Sequence, residues 1–484
     1  MLKLVNKYKY FLFLAVIFLF LRLPSLFEPY WYGDEGIYLV LGQGIRKGLT
    51  LYTQIHDNKP PTLYYLAAIG QTVFGFRLLL MVFMALTVFF FYKLSSLLLS
   101  AKKTKIATLI FLILSSIPLI EGSIANAEVF MLLPTILGFY LFLKNKNKLN
   151  LFLVGLLLGL AFTIKVPVLI EFLFLFLWIF VGDFKSIKTI FSQIPKAFVF
   201  GLGFIIPIIL WSVYFYFQAA FKPFIVASLL QNFGYLSSWS TGTQAASVGS
   251  GGIFTRFLFL VVAWIIIYFL KIIKKIDSNF SFLLFWFAAT IFGALLSTRP
   301  YPHYLIQALP PLILVVLSFF EFKKILKPLL SFISIICFVL VISKYKFYFY
   351  PVFSYYKNFY SYSLKIKSQS EYFNYFGSQV NSVHQISKYI QDNSSPSDKI
   401  FVWGDEPYIY ALSDRLPTSK YTVAYHILDF NGYEQTINQI KSNLPKFIVY
   451  VPMSNRPFKD LDNILNRYYF VTQTFGNFLL YQLR

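Results

Sequence analysis

Acidic residues are scarce in this chain. Its 484 residues hold 20 Asp and Glu against 43 Lys and Arg, and charged residues make up only 13% of the whole. Soluble domains carry about 25% charge, so an ordinary water-soluble enzyme is excluded at the outset. Cysteine is all but missing. The single Cys337 excludes a disulfide framework and a thiolate metal site. The four histidines, His56, His303, His384 and His426, do not pair at helical spacing, and no glycine-rich phosphate loop is present. What the chain has instead is apolar and aromatic mass: 57% hydrophobic and 21% aromatic, with 58 Phe and 35 Tyr. That composition fits lipid-facing and interfacial helices. The formal charge of +23 would point to nucleic acid in a soluble chain. Here cytoplasmic loops account for most of the excess, and no nucleic-acid partner is expected.

The amino end has the basic start and apolar run of a signal peptide: Lys3, Lys7 and Lys9, then Tyr10–Leu21. No small-residue cleavage site follows, and Arg22 and Pro24 stand where one would lie. An uncleaved first span is the expectation.

Apolar runs fall at about Lys9–Phe27, Phe76–Leu99, Ile106–Ile120, Val129–Leu143, Leu149–Ile164 and Val166–Val181. They continue at Ala197–Phe217, Ile253–Leu270, Phe280–Ser297, Tyr304–Phe320 and Leu329–Ser343. Lysines mark alternate connections: Lys3, Lys7 and Lys9; Lys102, Lys103 and Lys105; Lys144, Lys146 and Lys148. The series goes on through Lys185, Lys188 and Lys196; Lys271, Lys274 and Lys275; and Lys323, Lys324 and Lys327. The positive-inside rule puts all of these in the cytoplasm. As one helix the 33 residues of Leu149–Val181 would reach about 50 Å, against a hydrocarbon core of about 30 Å. Splitting that run at Lys165-Val166-Pro167 keeps every later lysine cluster inside. The expected fold is a polytopic all-α membrane bundle of eleven spans, amino end in the cytoplasm, with a first exterior loop at 28–76 that carries juxtamembrane helices.

Only ten acids precede Lys344. Asp183, Asp277 and Glu321 fall on the cytoplasmic side. Glu28, Asp34, Glu35, Asp57, Glu121, Glu128 and Glu171 fall on or near the outer face. Scattered solvation needs no such bias; an exterior reaction centre does. Beyond 344 the composition turns polar, with strand-like Lys399–Trp403 and Lys446–Val451 and helix-like Tyr433–Asn443 and Phe458–Arg467. These predict a transmembrane domain over 1–343 and a small exterior α/β domain over 344–484, reached through a Tyr-rich connector from about Lys344 to Tyr375. A second exterior stretch, 218–252, is rich in Ser, Gly, Thr and Gln and reads as a loop over the site.

Asp34 and Glu35 follow Trp31-Tyr32-Gly33 just past the first span. Acids beside a membrane are costly and are functional candidates by default; the plain alternative is a solvated pair of loop charges. Lys59 is held at the boundary by Pro60-Pro61, which cannot continue a helix inward, or it simply snorkels. Acid and base together at a bilayer edge suggest an enzyme acting on a lipid-borne phosphate. Glu128 is either a second active-site acid or a first-turn carboxylate favoured by the helix dipole. In Arg299-Pro300-Tyr301-Pro302-His303-Tyr304 the tyrosines suit an interfacial anchor, whereas Arg299 and His303 suit a phosphate. Lys165 either reaches a phosphate or pairs with Glu171.

Gly-Asp-Glu after the first span, Lys-Pro-Pro before the second and Arg-Pro-Tyr-Pro-His-Tyr before a Leu/Pro-rich span resemble the GT-C superfamily of integral-membrane glycosyltransferases. The bacterial branch related to protein O-mannosyltransferases and to the lipid A aminoarabinose transferase is the one they resemble. Phe401-Val402-Trp403-Gly404-Asp405-Glu406-Pro407 and Asp414-Arg415-Leu416-Pro417 are similar to the exterior domain of those bacterial proteins. The resemblance implies a polyprenyl-phosphate sugar donor, transfer with inversion, and a lipid, glycan or protein acceptor at the outer face of the cell membrane. It places Asp34 as the general base, with Glu35 in support, and Lys59 at the donor phosphate. Arg299, His303 and Lys165 are further candidates at that phosphate, and Glu128 falls where relatives carry a second-loop acid. Some distant members bind a divalent ion through such acids; no ligand set for a metal or other cofactor stands out in this sequence. The rival reading is a flippase or transporter of lipid-linked sugars, which needs charges deep in the spans and often internal repeats; apart from Lys165 and Glu171 near one end the spans are nearly charge-free, and no repeat is visible.

Overall fold

The computed structural model describes residues 2–182, 186–231, 252–297, 299–318, 326–453 and 456–484. Over its described residues, each apolar run of the sequence falls largely on helix. Among the described residues, six helices are long and apolar enough to cross a membrane: Tyr8–Phe27, Val73–Ser95, Ala127–Lys144, Lys188–Phe217, Ile253–Ile272 and Leu326–Lys344. The other runs form the shorter helices Ala101–Leu114, Lys148–Phe162, Val168–Val181, Ser278–Ala294 and Pro302–Ser318. The long run from Leu149 does divide, between Phe162 and Val168, because Pro167 has no amide to donate into a continuing helix. Asp183, Lys185, Glu321, Lys323 and Lys324, and residues 232–251 of the expected 218–252 loop, lie outside the described residues. Of that loop, Phe221–Leu230 is helical.

Two compact units make up the chain, and neither is continuous in sequence. One comprises Met1–Leu23, Leu80–Ser212 and Gln231–Val352; the other comprises Pro24–Leu79, Val213–Leu230 and Phe353–Arg484. In the first unit, helices approach closely through glycine. A Cβ on Gly155 would lie 2.0 Å from the Phe200 carbonyl oxygen, and one on Gly203 would lie 2.2 Å from that of Phe152. Small residues are how membrane helices gain packing when lipid supplies no hydrophobic drive between them.

The second unit carries a four-stranded sheet in the order β1-β2-β4-β3, formed by β1 (Ile400–Trp403), β2 (Phe447–Tyr450), β3 (Tyr469–Phe475) and β4 (Phe478–Leu483). β1 and β2 are parallel; β4 runs antiparallel to both β2 and β3. Both faces of β1 are buried, and alternate residues feed two cores. Val402 and Val449 pack with Ile386, Ile390 and Val40, while Phe401, Trp403 and Ile448 pack with Ile437 and Leu461. Val40 belongs to the helix Gly33–Arg46, so the segment after the first span is part of the sheet's own core. The expected helices at Tyr433–Asn443 and Phe458–Arg467 appear as Tyr433–Ser442 and Lys459–Tyr468. The Tyr-rich stretch differs from a plain connector, for it holds the helices Val352–Ser363 and Gln369–Asn374. Ser368 and Glu371 start the latter with a reciprocal capping box.

Candidate functional site

Asp34 and Glu35 both stand in the first turn of the Gly33–Arg46 helix, where a carboxylate is favoured by the helix dipole. A Cβ at Gly36 would meet the Tyr408 ring at 2.6 Å and Pro407 at 2.9 Å. Glycine therefore lets the Pro407-Tyr408 corner close onto this turn. One turn of helix then aims the two acids into different surroundings.

Glu35 is sealed. Its Oε1 accepts from Arg77 Nε at 2.8 Å and its Oε2 from Arg77 Nη2 at 2.7 Å. Arg77 Nη1 donates to the Ser25 carbonyl at 2.9 Å and pairs with Glu28 Oε2 at 2.7 Å. Glu28 in turn accepts from Trp31 Nε1 at 2.6 Å and from the Tyr355 hydroxyl at 2.5 Å. Every oxygen of the two acids named here has a donor, which is what makes such burial tolerable.

Asp34 stays open, with a third of its side chain exposed. Its Oδ2 accepts from the Tyr38 hydroxyl at 3.1 Å and lies 3.4 Å from Lys59 Nζ. Lys59 also lies 3.6 Å from Asp57 Oδ2, and its ammonium sits 4.9 Å from the centre of the Tyr38 ring. Its backbone is fixed on both sides: the Tyr52 hydroxyl donates to the Lys59 carbonyl at 2.8 Å, and the Lys59 amide donates to the Tyr64 hydroxyl at 3.0 Å. Asp57 is fully buried, and its Oδ1 lies 3.6 Å from His426 Nε2. Burial alone would raise the Asp57 carboxyl, but Lys59 and His426 outweigh it and hold the group below the ordinary carboxylate value. Burial pushes the His426 imidazole below its ordinary value, with Asp57 pulling the other way.

The first unit holds a separate polar cluster. Glu121 closes a short 3-10 turn with a left-handed φ of 59°, and Glu128 opens the helix Ala127–Phe130. His303 Nδ1 contacts Glu121 Oε2, and His303 Nε2 lies 3.8 Å from Glu128 Oε1. Lys165 pairs with that same Glu128 oxygen at 2.8 Å and lies over the Tyr304 ring at 5.4 Å. Glu171, the other partner considered for Lys165, instead accepts from Trp286 Nε1 at 2.8 Å. Arg299 is buried in the segment that leads into His303.

The structure thus brings Asp34 to Lys59, and Glu128 to His303 and Lys165. It separates Asp34 from Glu35 in environment. Three residues that sequence reasoning did not single out join the picture: Asp57, Arg77 and His426. Asp57 was within reach, two places before the lysine of Lys-Pro-Pro. His426 comes from the C-terminal region and carries no local pattern. Of the C-terminal motif residues, Asp405 accepts from Arg456 at 2.6 Å, and Arg415 donates to the carbonyls of Ser413, Gln391 and Ser394 at 2.9, 3.0 and 2.7 Å. Among the described residues no group of three or more His, Cys, Asp or Glu side chains forms a metal-ligand set.

No protein-family model and no curated protein matches the sequence. Solved structures do. ArnT from Cupriavidus metallidurans bound to undecaprenyl phosphate aligns with a TM-score of 0.59 at 12% identity, over 97% of this chain and 97% of that one. The apo state of the same protein aligns with a TM-score of 0.57 at 12% identity, again over 97% of each chain. The oligosaccharyltransferase AglB from Archaeoglobus fulgidus, in complex with an inhibitory peptide and a dolichol-phosphate, gives 0.49 at 13% identity, over 97% of this chain and 73% of that one. At these identities a likeness speaks for fold and leaves chemistry to the site. Over almost its whole length, the chain has the fold of the ArnT structures.

Proposed function

We propose that this chain is a multi-pass membrane glycosyltransferase that moves a hexose or pentose from a polyprenyl-phosphate carrier to a lipid, glycan or protein acceptor at the outer face of the cell membrane. The observation that carries this reading is the contrast between the two neighbouring acids. Asp34 is open and beside an ammonium group at 3.4 Å, while Glu35 is neutralised by Arg77. Asp34 is therefore the acid available to take a proton, and Lys59 is the cation available to meet a phosphate. The shared fold with a protein solved with undecaprenyl phosphate supports the choice of carrier.

In this mechanism Asp34 removes the proton of the acceptor hydroxyl as general base. The acceptor oxygen forms its bond to the anomeric carbon from the face opposite the carrier. The bond from that carbon to the phosphate oxygen breaks, the electron pair leaves with the phosphate, and Lys59 offsets the charge that develops there. Inversion follows from the opposed faces. Glu35 supports Asp34 by fixing the first helical turn through Arg77. In the first unit Lys165, Arg299 and His303 are the candidates for holding a phosphate, with Glu128 and Glu121 as their resident counter-charges.

The lysine pattern supports eleven spans, with the amino end in the cytoplasm and residues 344–484 outside. Reporter fusions after Lys188 and Lys275 are expected to report cytoplasm; an exterior signal at either breaks this topology. Function is tested by lipid analysis of a strain lacking the gene. The expected result is an accumulated polyprenyl-phosphate sugar together with a glycan that lacks that sugar. No change in either contradicts the transferase reading.

A further inference from the structure

Lys59 has two carboxylate neighbours, and they differ. Asp34 is part exposed and lies 3.4 Å away; Asp57 is wholly enclosed and lies 3.6 Å away. A buried carboxylate needs a compensating charge, because an unpaired one costs several kcal/mol. On the side away from Lys59, Asp57 meets His426 Nε2 at 3.6 Å. His426 Nδ1 is buried and has no hydrogen-bond partner in the structure, so the ring is held without a fixed commitment of that nitrogen. The charged and titratable groups that face His426 are Asp57 and Lys59 from the loop after Leu51, Asp34 from the Gly33–Arg46 helix and Asp429 from its own helix. The rings of Tyr425 and Phe430 pack beside it at 4.5 and 5.3 Å. The result is a row of four groups, Asp34, Lys59, Asp57 and His426, in which the only permanent cation is shared by two acids.

An anion brought to Lys59 draws the ammonium away from both carboxylates. Asp34 has water to fall back on. Asp57 is closed to water; the Asn58 amide donates to its Oδ1 at 2.7 Å, and His426 is the titratable base beside it. We propose that Asp57 is a positioning residue that holds Lys59 ready for a lipid-borne phosphate, and that His426 takes up a proton to replace the lysine's charge beside Asp57 when that phosphate binds. This rests on the proposed use of Lys59 at the donor phosphate. The sign follows from linkage: binding raises the proton affinity of His426, so phosphate binding strengthens as pH falls through the range where the imidazole titrates.

The test uses the full chain in lipid nanodiscs, with undecaprenyl phosphate as the probe and its affinity measured at pH 6, 7 and 8. The probe's own ionisation is common to every variant and cancels when their pH slopes are compared. Wild type is expected to show a steeper rise in affinity toward low pH than His426→Gln, the difference approaching one proton, or about tenfold per pH unit at its limit. Asp57→Asn is expected to bind about tenfold more weakly while still folded at the assay temperature, because the ammonium loses its anchor, and Asp57→Glu to recover part of that loss. A His426→Gln protein with the wild-type pH slope, or an Asp57→Asn protein that binds as tightly as wild type, overturns the proposal. A wild type that does not bind undecaprenyl phosphate removes the function reading as well. Binding that depends on Lys59 but not on Asp57 or His426 leaves that reading standing and removes only this one.

Discussion

Glu35 and Arg77 meet in a bidentate pair, 2.8 Å from Nε to Oε1 and 2.7 Å from Nη2 to Oε2, on side chains that are all but closed to solvent. This pair leaves the two adjacent acids in different surroundings, Glu35 enclosed and Asp34 one-third exposed. Removing Glu35 leaves a buried guanidinium with Glu28 alone to balance it. Glu35→Ala is therefore expected to lower stability by about 3 kcal/mol, the cost of breaking a buried pair from one side. A thermal unfolding scan of the detergent-solubilised protein checks this. An unchanged midpoint would mean the pair does not hold the turn.

The Asp57 carboxyl, held below the usual carboxylate value of 3.8 by Lys59 and His426 against its burial, makes a pH prediction. Its folded form binds protons less readily than its unfolded form. Stability from this group is complete above the unfolded value and is lost as pH falls through the folded one. Asp57→Asn should flatten the acid limb of a stability profile below about pH 4 relative to wild type. Parallel slopes in that region would show that Asp57 is not so held.

Gly36 tests the packing that aims both acids. A Cβ there would lie 2.6 Å from two carbons of the Tyr408 ring, and a ring cannot bend aside as a flexible chain end can. Gly36→Ala is expected to cost about 1–3 kcal/mol. The double variant with Tyr408→Ala should not add the two single costs. Strict additivity in the unfolding midpoints would deny the contact.

In the first unit, Lys165 and His303 share the Glu128 oxygen. Lys165→Met leaves that buried acid short of its nearest cation and is expected to lower stability by about 2–4 kcal/mol. Lys165→Met with Glu128→Gln should recover much of the loss, since an amide has no charge to compensate. Failure of the double variant to recover would mean Lys165 stabilises this region through its stem rather than its charge.

Much of this architecture is legible in the amino-acid order, because lipid and water impose simple patterns. Apolar runs located the helices, Pro167 marked the division of the long run, and the unbroken apolar strings at Ile400–Trp403 and Phe447–Tyr450 announced strands covered on both faces. The β3–β4 hairpin was less visible. Its outer strand alternates Phe470, Thr472 and Thr474 with little apolar contrast, as an edge strand can. The different surroundings of Asp34 and Glu35 could not be read from residue type, since each is an acid in the same helical turn. The difference comes from Arg77 on a later helix. Nor could any local spacing bring His426 to Asp57, for that approach is made by the fold of the second unit alone.

The role proposed for Asp34 is that of the base that activates the acceptor. Its most direct test is complementation of a strain lacking the gene with Asp34→Asn, the level of polyprenyl-phosphate sugar being the quantity measured and membrane insertion checked in the same cells. Asn keeps the shape of the side chain and cannot take the proton. The expected result is a protein inserted at the wild-type level that leaves the lipid-linked sugar accumulated. Clearance of that sugar at the wild-type level by the Asn protein would contradict it.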